Sequence, residues 1–248
     1  MLIRVFVGFD TREVVAYHVL CQSILERASV PVCFIPIALN TVGDVFQRTP
    51  SALQSTQFAF SRFLVPRLSG YSGWSLYLDC DMLFRRDIAE LWSLRDDAYA
   101  VMCCQHDYTP KAERKFFGQL QSKYARKNWS SLMLFNNAAC AKLTEEYVNT
   151  ASGLELHQFR WLDDRQIGAL PMPWNHLVGE YEHDPVAANV HFTLGGPYID
   201  ETYANSDYAD EWFRTRHRVL SAQAAGQPAT SPSPTRIFAN QRRAGQRD

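Results

Sequence analysis

Two aspartates separated by one residue close an apolar run, Ser75-Leu76-Tyr77-Leu78-Asp79-Cys80-Asp81-Met82-Leu83-Phe84. Leu76, Tyr77 and Leu78 are enough for a buried strand, and Gly73-Trp74 stands before them as a turn signal. In extended backbone, residues i and i+2 point to the same side, so Asp79 and Asp81 can face one cation together. Hard oxygen ligands suit Mg²⁺ or Mn²⁺, usually shared with substrate phosphates. A solvated turn is the plain alternative, since a lone Asp-x-Asp is common. The apolar residues on both sides count against it, because two buried carboxylates without a cation repel each other and are costly to desolvate.

Other residues could share that chemistry. Val190-His191-Phe192-Thr193-Leu194-Gly195-Gly196-Pro197-Tyr198 places a histidine at a strand end before two glycines. His191 is a candidate metal ligand, and Gly195 and Gly196 allow backbone to approach a phosphate; an isolated histidine is more often structural. Arg62 sits among aromatics, either snorkelling at the surface or reaching metal-bound phosphates or a ligating carboxylate. Asp10 follows Gly8-Phe9 on a strand-to-helix loop, where it could meet a nucleotide or cap the next helix. Asp163-Asp164 precedes a short helix, which two acids cap naturally. Trp174-Asn175 lies in a rigid Pro-bounded turn and could line a sugar pocket or a core edge. Ser130-Ser131 leaves room for a ligand before an apolar strand, or is a plain turn.

The elements that must carry these residues follow from periodicity. Residues 2–8 read as a buried strand, 12–28 as an amphipathic helix and 32–38 as a second strand. That strand–helix–strand unit favours a parallel sheet with right-handed crossovers, whose ligands lie beyond the C-terminal strand ends, where Asp79 and Asp81 fall. Residues 40–57 are a polar loop and 58–68 a short helix despite Pro66. A helix around Ile88–Trp92, a β-rich run over 99–104 and a strand over 132–135 follow. Residues 105–128 form a long excursion or lid, 140–149 a helix and 207–220 a closing helix. No internal repeat is present.

Composition bounds the class. The 248 residues are 46% apolar and 21% charged, ordinary for a globular protein with a sizeable core, and the net charge of -1 argues against a nucleic-acid groove. Six cysteines without a CxxC pair read as reduced thiols. With no leader sequence at Met1 and no apolar run of membrane-spanning length, the expected location is cytoplasmic. From 221 the chain turns to Ala, Gln, Pro, Ser and Thr with four arginines in its last thirteen residues. A disordered tail over 221–248 is expected, solubilising or in peripheral contact with an anionic membrane surface.

Taken in order, Asp10, Arg62, Leu78-Asp79-Cys80-Asp81, Asp163-Asp164 and His191-Phe-Thr-Leu-Gly-Gly-Pro-Tyr198 resemble the family 8 glycosyltransferases and their bacterial relatives. Phe60-Ser-Arg-Phe-Leu-Val-Pro66, Lys127-Asn-Trp-Ser-Ser131 and Trp174-Asn175 are similar to a subgroup described only as glycosyltransferases. The likeness runs over about residues 2–215. It implies an α/β GT-A fold, with a Rossmann-like, mainly parallel central sheet flanked by helices. It implies one domain over 1–220, with a nucleotide-binding half to about 105 and an acceptor half from 106. It further implies a retaining, hexosyltransferase-type enzyme with Mn²⁺ (or Mg²⁺), a UDP-sugar donor and an acceptor that is a saccharide, a lipid-linked glycan or a protein. Asp79, Asp81 and His191 would ligate the metal, Gly8 and Asp10 would contact the nucleoside, and Arg62 the donor region. Asp164 would sit near the reacting sugar, with Asp163 as the alternative register.

Two departures stand out. Gly196 occupies the position where family members usually carry a diphosphate-binding lysine, and Trp129-Ser130-Ser131 replaces the usual Asn-Ala-Gly. They keep open a catalytically silent nucleotide-sugar or glycan binder. A nucleotidylyltransferase would favour a Gly-rich, Lys/Arg-bearing first loop, unlike Gly8-Phe9-Asp10-Thr11. A haloacid-dehalogenase-type phosphatase would want Asp-x-Asp-Gly-Thr near the chain start.

Overall fold

The first strand, β1 (Ile3–Gly8), is apolar on both faces: Ile3, Val5, Phe6 and Val7 are all buried. Such a run belongs inside a sheet covered on both sides. The computed structural model describes residues 1–49, 54, 56–111, 113–115, 118–120 and 124–221. The expected tail from 222 onward, and parts of the expected 40–57 and 105–128 excursions, lie outside the described residues.

After β1 come α1 (Val14–Leu25) and β2 (Val32–Ile37), then α2 (Val65–Leu68), β3 (Trp74–Leu78), β4 (Met82–Phe84) and α3 (Ile88–Ser93). β5 (Val101–Cys103) follows, then a two-stranded ribbon of β6 (Arg114–Lys115) and β7 (Gln119–Leu120), then β8 (Leu132–Asn136). α4 (Glu145–Thr150), α5 (Gly153–His157), β9 (Ile167–Ala169), β10 (His176–Leu177), β11 (Asn189–His191) and α6 (Ala209–Leu220) complete the chain. Local signals set several helix starts. Asp87 accepts from the Ala89 amide ahead of α3, Thr144 from the Tyr147 amide ahead of α4, and Ser152 with Glu155 forms a capping box on α5.

The main sheet has six strands in the order β2-β1-β3-β8-β5-β9. Five run parallel to one another, and β8 alone is antiparallel to its neighbours β3 and β5. α1 buries Ala16, Val19, Leu20 and Ile24 at helical spacing, as expected of an element crossing between β1 and β2. A smaller sheet in the order β10-β11-β4 is covered by a second apolar cluster that includes Val19, Leu83, Val190, Phe192 and Trp212 of α6.

The stretch 75–84 divides at its acids: the main-sheet strand stops at Leu78, the chain bends at Cys80-Asp81, and it enters the smaller sheet at Met82. The bend is needed because the chain changes sheets there. The Asp79 amide donates to Ser131 O at the start of β8 (2.9 Å), and the Phe192 amide donates to Asp81 O just after β11 (2.9 Å). The two acids thus sit at the seam between the sheets. The 58–68 segment likewise divides into a 3₁₀ turn over Ser61–Leu64 and α2, with Pro66 in the first turn where its missing N–H costs nothing.

Candidate metal centre

At this seam, Asp79, Asp81 and His191 each offer one ligand atom, and those atoms all lie within 4.8 Å of one another. Three separate elements converge: the end of β3 supplies Asp79, the bend supplies Asp81, and β11 supplies His191 opposite Met82 in the antiparallel ladder. All three side chains are almost fully buried.

Their surroundings treat the two carboxylates differently. Asp79 Oδ1 accepts from the Tyr77 hydroxyl at 2.8 Å and pairs with Arg62 Nη1 at 2.8 Å. Arg62 is itself buried; it also donates to Ser130 O at 2.9 Å and lies over the Tyr77 ring. Of the two sequence readings, the snorkelling one fails: this arginine is buried and reaches the Asp79 carboxylate. Asp81 Oδ1, by contrast, is buried without a hydrogen-bond partner, with His191 Nε2 standing 3.3 Å away. A buried carboxylate oxygen left in that state is costly unless a cation or proton partners it. Burial pushes the Asp79 carboxyl above its ordinary range, Arg62 and the Tyr77 hydroxyl pull it back, and the Asp81 charge pushes it further up. Two carboxylate oxygens and an imidazole nitrogen within 4.8 Å of one another form a donor set that fits a divalent ion such as Mn²⁺.

The remaining expected residues fall in varied settings. Gly8 ends β1 with no room for a side chain: a Cβ there would meet the Phe58 ring at 2.5 Å and the Tyr77 hydroxyl at 2.7 Å. Asp10 is buried, and its two oxygens take four hydrogen bonds, from the Arg12 amide and guanidinium and from the Gln57 amide. It therefore ties the first loop to residue 57. Gly195 has φ +148, and a Cβ on it would meet the Tyr203 ring at 2.8 Å; one on Gly196 would meet the Tyr198 ring at 2.0 Å. Packing against two tyrosines thus accounts for both glycines. Asp163 and Asp164 stay at the surface at the turn before β9. Asp164 is 82% exposed and pairs with Arg126 at 2.6 Å, while Asp163 caps that turn, its amide accepted by Gln166 Oε1 at 3.0 Å. The three metal-site candidates and Arg62 are brought together; none of the hydrogen bonds or ion pairs found joins Asp163 or Asp164 to them.

Three residues around the centre carry no site role in the sequence reading, and a fourth, Asn175, was read only as lining a sugar pocket or a core edge. Tyr77 is hidden in an apolar run, although it stands two residues before Asp79 on the same side of a strand, a signal that was legible. Asn175 hydrogen-bonds His191 Nδ1 at 3.1 Å. Glu13, buried at the entrance to α1, accepts from the Tyr198 hydroxyl at 2.6 Å. Burial raises its carboxyl pKa to about 8, helped by the nearby Asp81 charge and opposed by the Tyr198 hydrogen bond. His106, following β5, is buried with Nδ1 bonded to the Tyr181 hydroxyl at 2.9 Å. Nothing in single-sequence spacing links residues 13, 106 and 175 to position 191. All six cysteines are free thiols, four of them buried, and no described helix is long and apolar enough to cross a membrane.

No protein-family model matches the chain. It is 46% identical over 218 residues to Protein CDI of Arabidopsis thaliana, a match that spans 84% of each protein. Among solved structures it is similar to LgtC, with a TM-score of 0.57 and 12% identity, covering 91% of this chain and 98% of that one. LgtC is a galactosyltransferase also crystallised with donor and acceptor sugar analogues. The chain is similar as well to the bifunctional glycosyltransferase WbbM, with a TM-score of 0.55 and 14% identity over 86% of this chain; it spans about half, 51%, of WbbM. At such identities the likeness shows the fold, which is the GT-A fold of glycosyltransferases.

Proposed function

This chain belongs to the family of Arabidopsis Protein CDI and is built on the GT-A fold, and from that premise we propose that it is a metal-dependent glycosyltransferase. It moves a sugar from a nucleotide-sugar donor to the hydroxyl of an acceptor: a saccharide, a lipid-linked glycan or a protein. The observation that carries the reading is the buried Asp79–Asp81–His191 cluster, with one Asp81 oxygen lacking a partner at the seam of the two sheets.

In this reading Asp79, Asp81 and His191 hold one divalent ion. Mn²⁺ is assigned ahead of Mg²⁺ because imidazole joins the two carboxylates. Bound there, the ion would take up charge developing on the departing diphosphate. Arg62 pairs with Asp79 Oδ1 and counters the burial that raises the Asp79 carboxyl. The segment around Gly195 and Gly196 runs beside the donor diphosphate, and the loop from Gly8 to Asp10 faces the nucleoside. The assignment of uridine, and of retention of configuration, rests on the sequence resemblance to family 8. In a retaining transfer on one face of the sugar, the bond from the anomeric carbon to the diphosphate oxygen breaks as the bond to the acceptor oxygen forms. The acceptor proton then passes to a donor phosphate oxygen. Asp164 would orient the donor sugar from the surface turn where it pairs with Arg126.

A thermal-shift titration with nucleoside diphosphates and their sugars, with and without Mn²⁺, tests binding. Release of UDP from a panel of UDP-sugars tests transfer. Stabilisation by a nucleotide that requires Mn²⁺, followed by slow release of free diphosphate, is the expected result. Binding without any turnover would leave a silent nucleotide-sugar binder, and no metal-dependent shift with any nucleotide would overturn the reading.

A further inference from the structure

A directed chain of hydrogen bonds runs from a backbone carbonyl to the imidazole of His191. It starts at Asn128 O, which can only accept. The Ser131 hydroxyl donates to that carbonyl at 2.7 Å and so spends its single hydrogen. Asn175 Nδ2 lies 2.8 Å from Ser131 Oγ and 3.5 Å from the same carbonyl. The amide end facing Ser131 is therefore the NH₂, which leaves Asn175 Oδ1 facing His191 Nδ1 at 3.1 Å. An amide oxygen accepts only, so Nδ1 must carry the hydrogen. In the neutral ring the lone pair is then on Nε2, the atom 3.3 Å from the unpartnered Asp81 Oδ1.

The links from Ser131 through Asn175 to His191 are buried: Asn175 is fully buried, and Ser131 and His191 are nearly so. Water therefore cannot supply an alternative donor that would let the amide turn over. The geometry assigns Asn175, held by Ser131, as the positioning residue that fixes the Nδ1–H tautomer of His191 and keeps Nε2 available as a ligand. The inference rests on the reading of Asp79, Asp81 and His191 as ion ligands, but its first consequence concerns the metal-free protein. It also gives Ser131, in the Trp129-Ser130-Ser131 departure, and Asn175, in the Pro-bounded turn, one joint purpose. Partners that fix a ligating histidine through its other nitrogen are a general feature of metal sites.

The test uses the full chain with ¹⁵N-labelled histidine, the His191 signals being identified by their loss in His191→Gln. In the metal-free protein at alkaline pH, two-bond ¹⁵N–¹H correlations should show Nδ1 protonated and Nε2 bare. Asn175→Leu should shift His191 towards the Nε2–H tautomer or a mixture, and Asn175→Asp, which still offers an oxygen to Nδ1, should retain Nδ1–H. Mn²⁺ titration should then show about 10–100-fold weaker binding for Asn175→Leu, the usual range for losing such a partner, and near-parental binding for Asn175→Asp. Should Asn175→Leu fail to fold, Ser131→Ala replaces it: freeing the amide to turn over should populate both tautomers. Nε2–H in the parent, or an unchanged tautomer when the relay is cut, would overturn the inference. A parent with Nδ1–H that binds no Mn²⁺ would instead sink the metal reading and leave the tautomer assignment standing.

Discussion

The fold treats two aspartate pairs, the spaced Asp79 and Asp81 and the adjacent Asp163 and Asp164, in opposite ways. Asp79 and Asp81 are buried at the seam between two sheets, one paired with Arg62 and Tyr77, the other with an oxygen that takes no hydrogen bond and stands 3.3 Å from His191 Nε2. Asp163 and Asp164 sit in water, capping a 3₁₀ turn and pairing with arginines at the surface. The same carboxylate is costly in the first setting and nearly free in the second, because desolvation scales with burial. A protein retains the costly arrangement only where something offsets it. Arg62 offsets part of the charge, and a bound divalent ion would offset the rest.

Variants can break that contrast, beginning with the largest expected effect. Arg62→Leu leaves Asp79 as a buried charge without its cation and should destabilise the fold by about 3–5 kcal/mol in denaturant titration. A loss below 1 kcal/mol, on the order of a surface pair, would show that Asp79 is not held by this pair. Asp79→Asn and Asp81→Asn should each retain the fold and weaken Mn²⁺-dependent UDP binding by more than about 100-fold, beyond what losing a partner behind a ligand does. Parent-like Mn²⁺–UDP affinity in either variant would remove it from the site.

Glu13 adds a pH signature to the buried region. Its pKa is raised from 4.5 to about 8, so the folded state holds a proton that the unfolded chain gives up. The associated stability is fully present below about 4.5 and is lost as pH rises towards 8. Glu13→Gln should therefore gain stability over the parent across that window and show a constant difference above it. A parent and variant with parallel stability–pH curves would mean that Glu13 titrates normally. The gain should shrink when Mn²⁺ is present, since an ion beside Asp81 offsets one of the charges that raises Glu13. At the small end, Asp164→Asn should change stability by no more than about 0.5 kcal/mol, as exposed substitutions do. A fall in kcat with Mn²⁺–UDP affinity unchanged would sharpen the comparison by giving the exposed acid a part in transfer; unchanged kcat would leave it a surface ion pair with Arg126.

Much of the framework was legible without coordinates. Buried apolar runs at 3–7 and 76–78, the helical spacing from Val14 to Ile24 and the short loops between them dictate a parallel βαβ start, because backbone hydrogen bonding and apolar burial leave few other solutions. Residue type also marked Asp79, Asp81, His191 and Arg62, since buried carboxylates and imidazole next to glycine-rich backbone are chemically conspicuous. The bend that divides 75–84 between two sheets was not legible, because local periodicity is the same on either side of it. Nor was the relay from Asn128 through Ser131 and Asn175 to His191, nor the meeting of Glu13 with Tyr198. Those contacts join residues up to 185 positions apart, and hydrogen-bond direction depends on which atoms the fold brings within 3 Å, a quantity that one sequence does not contain.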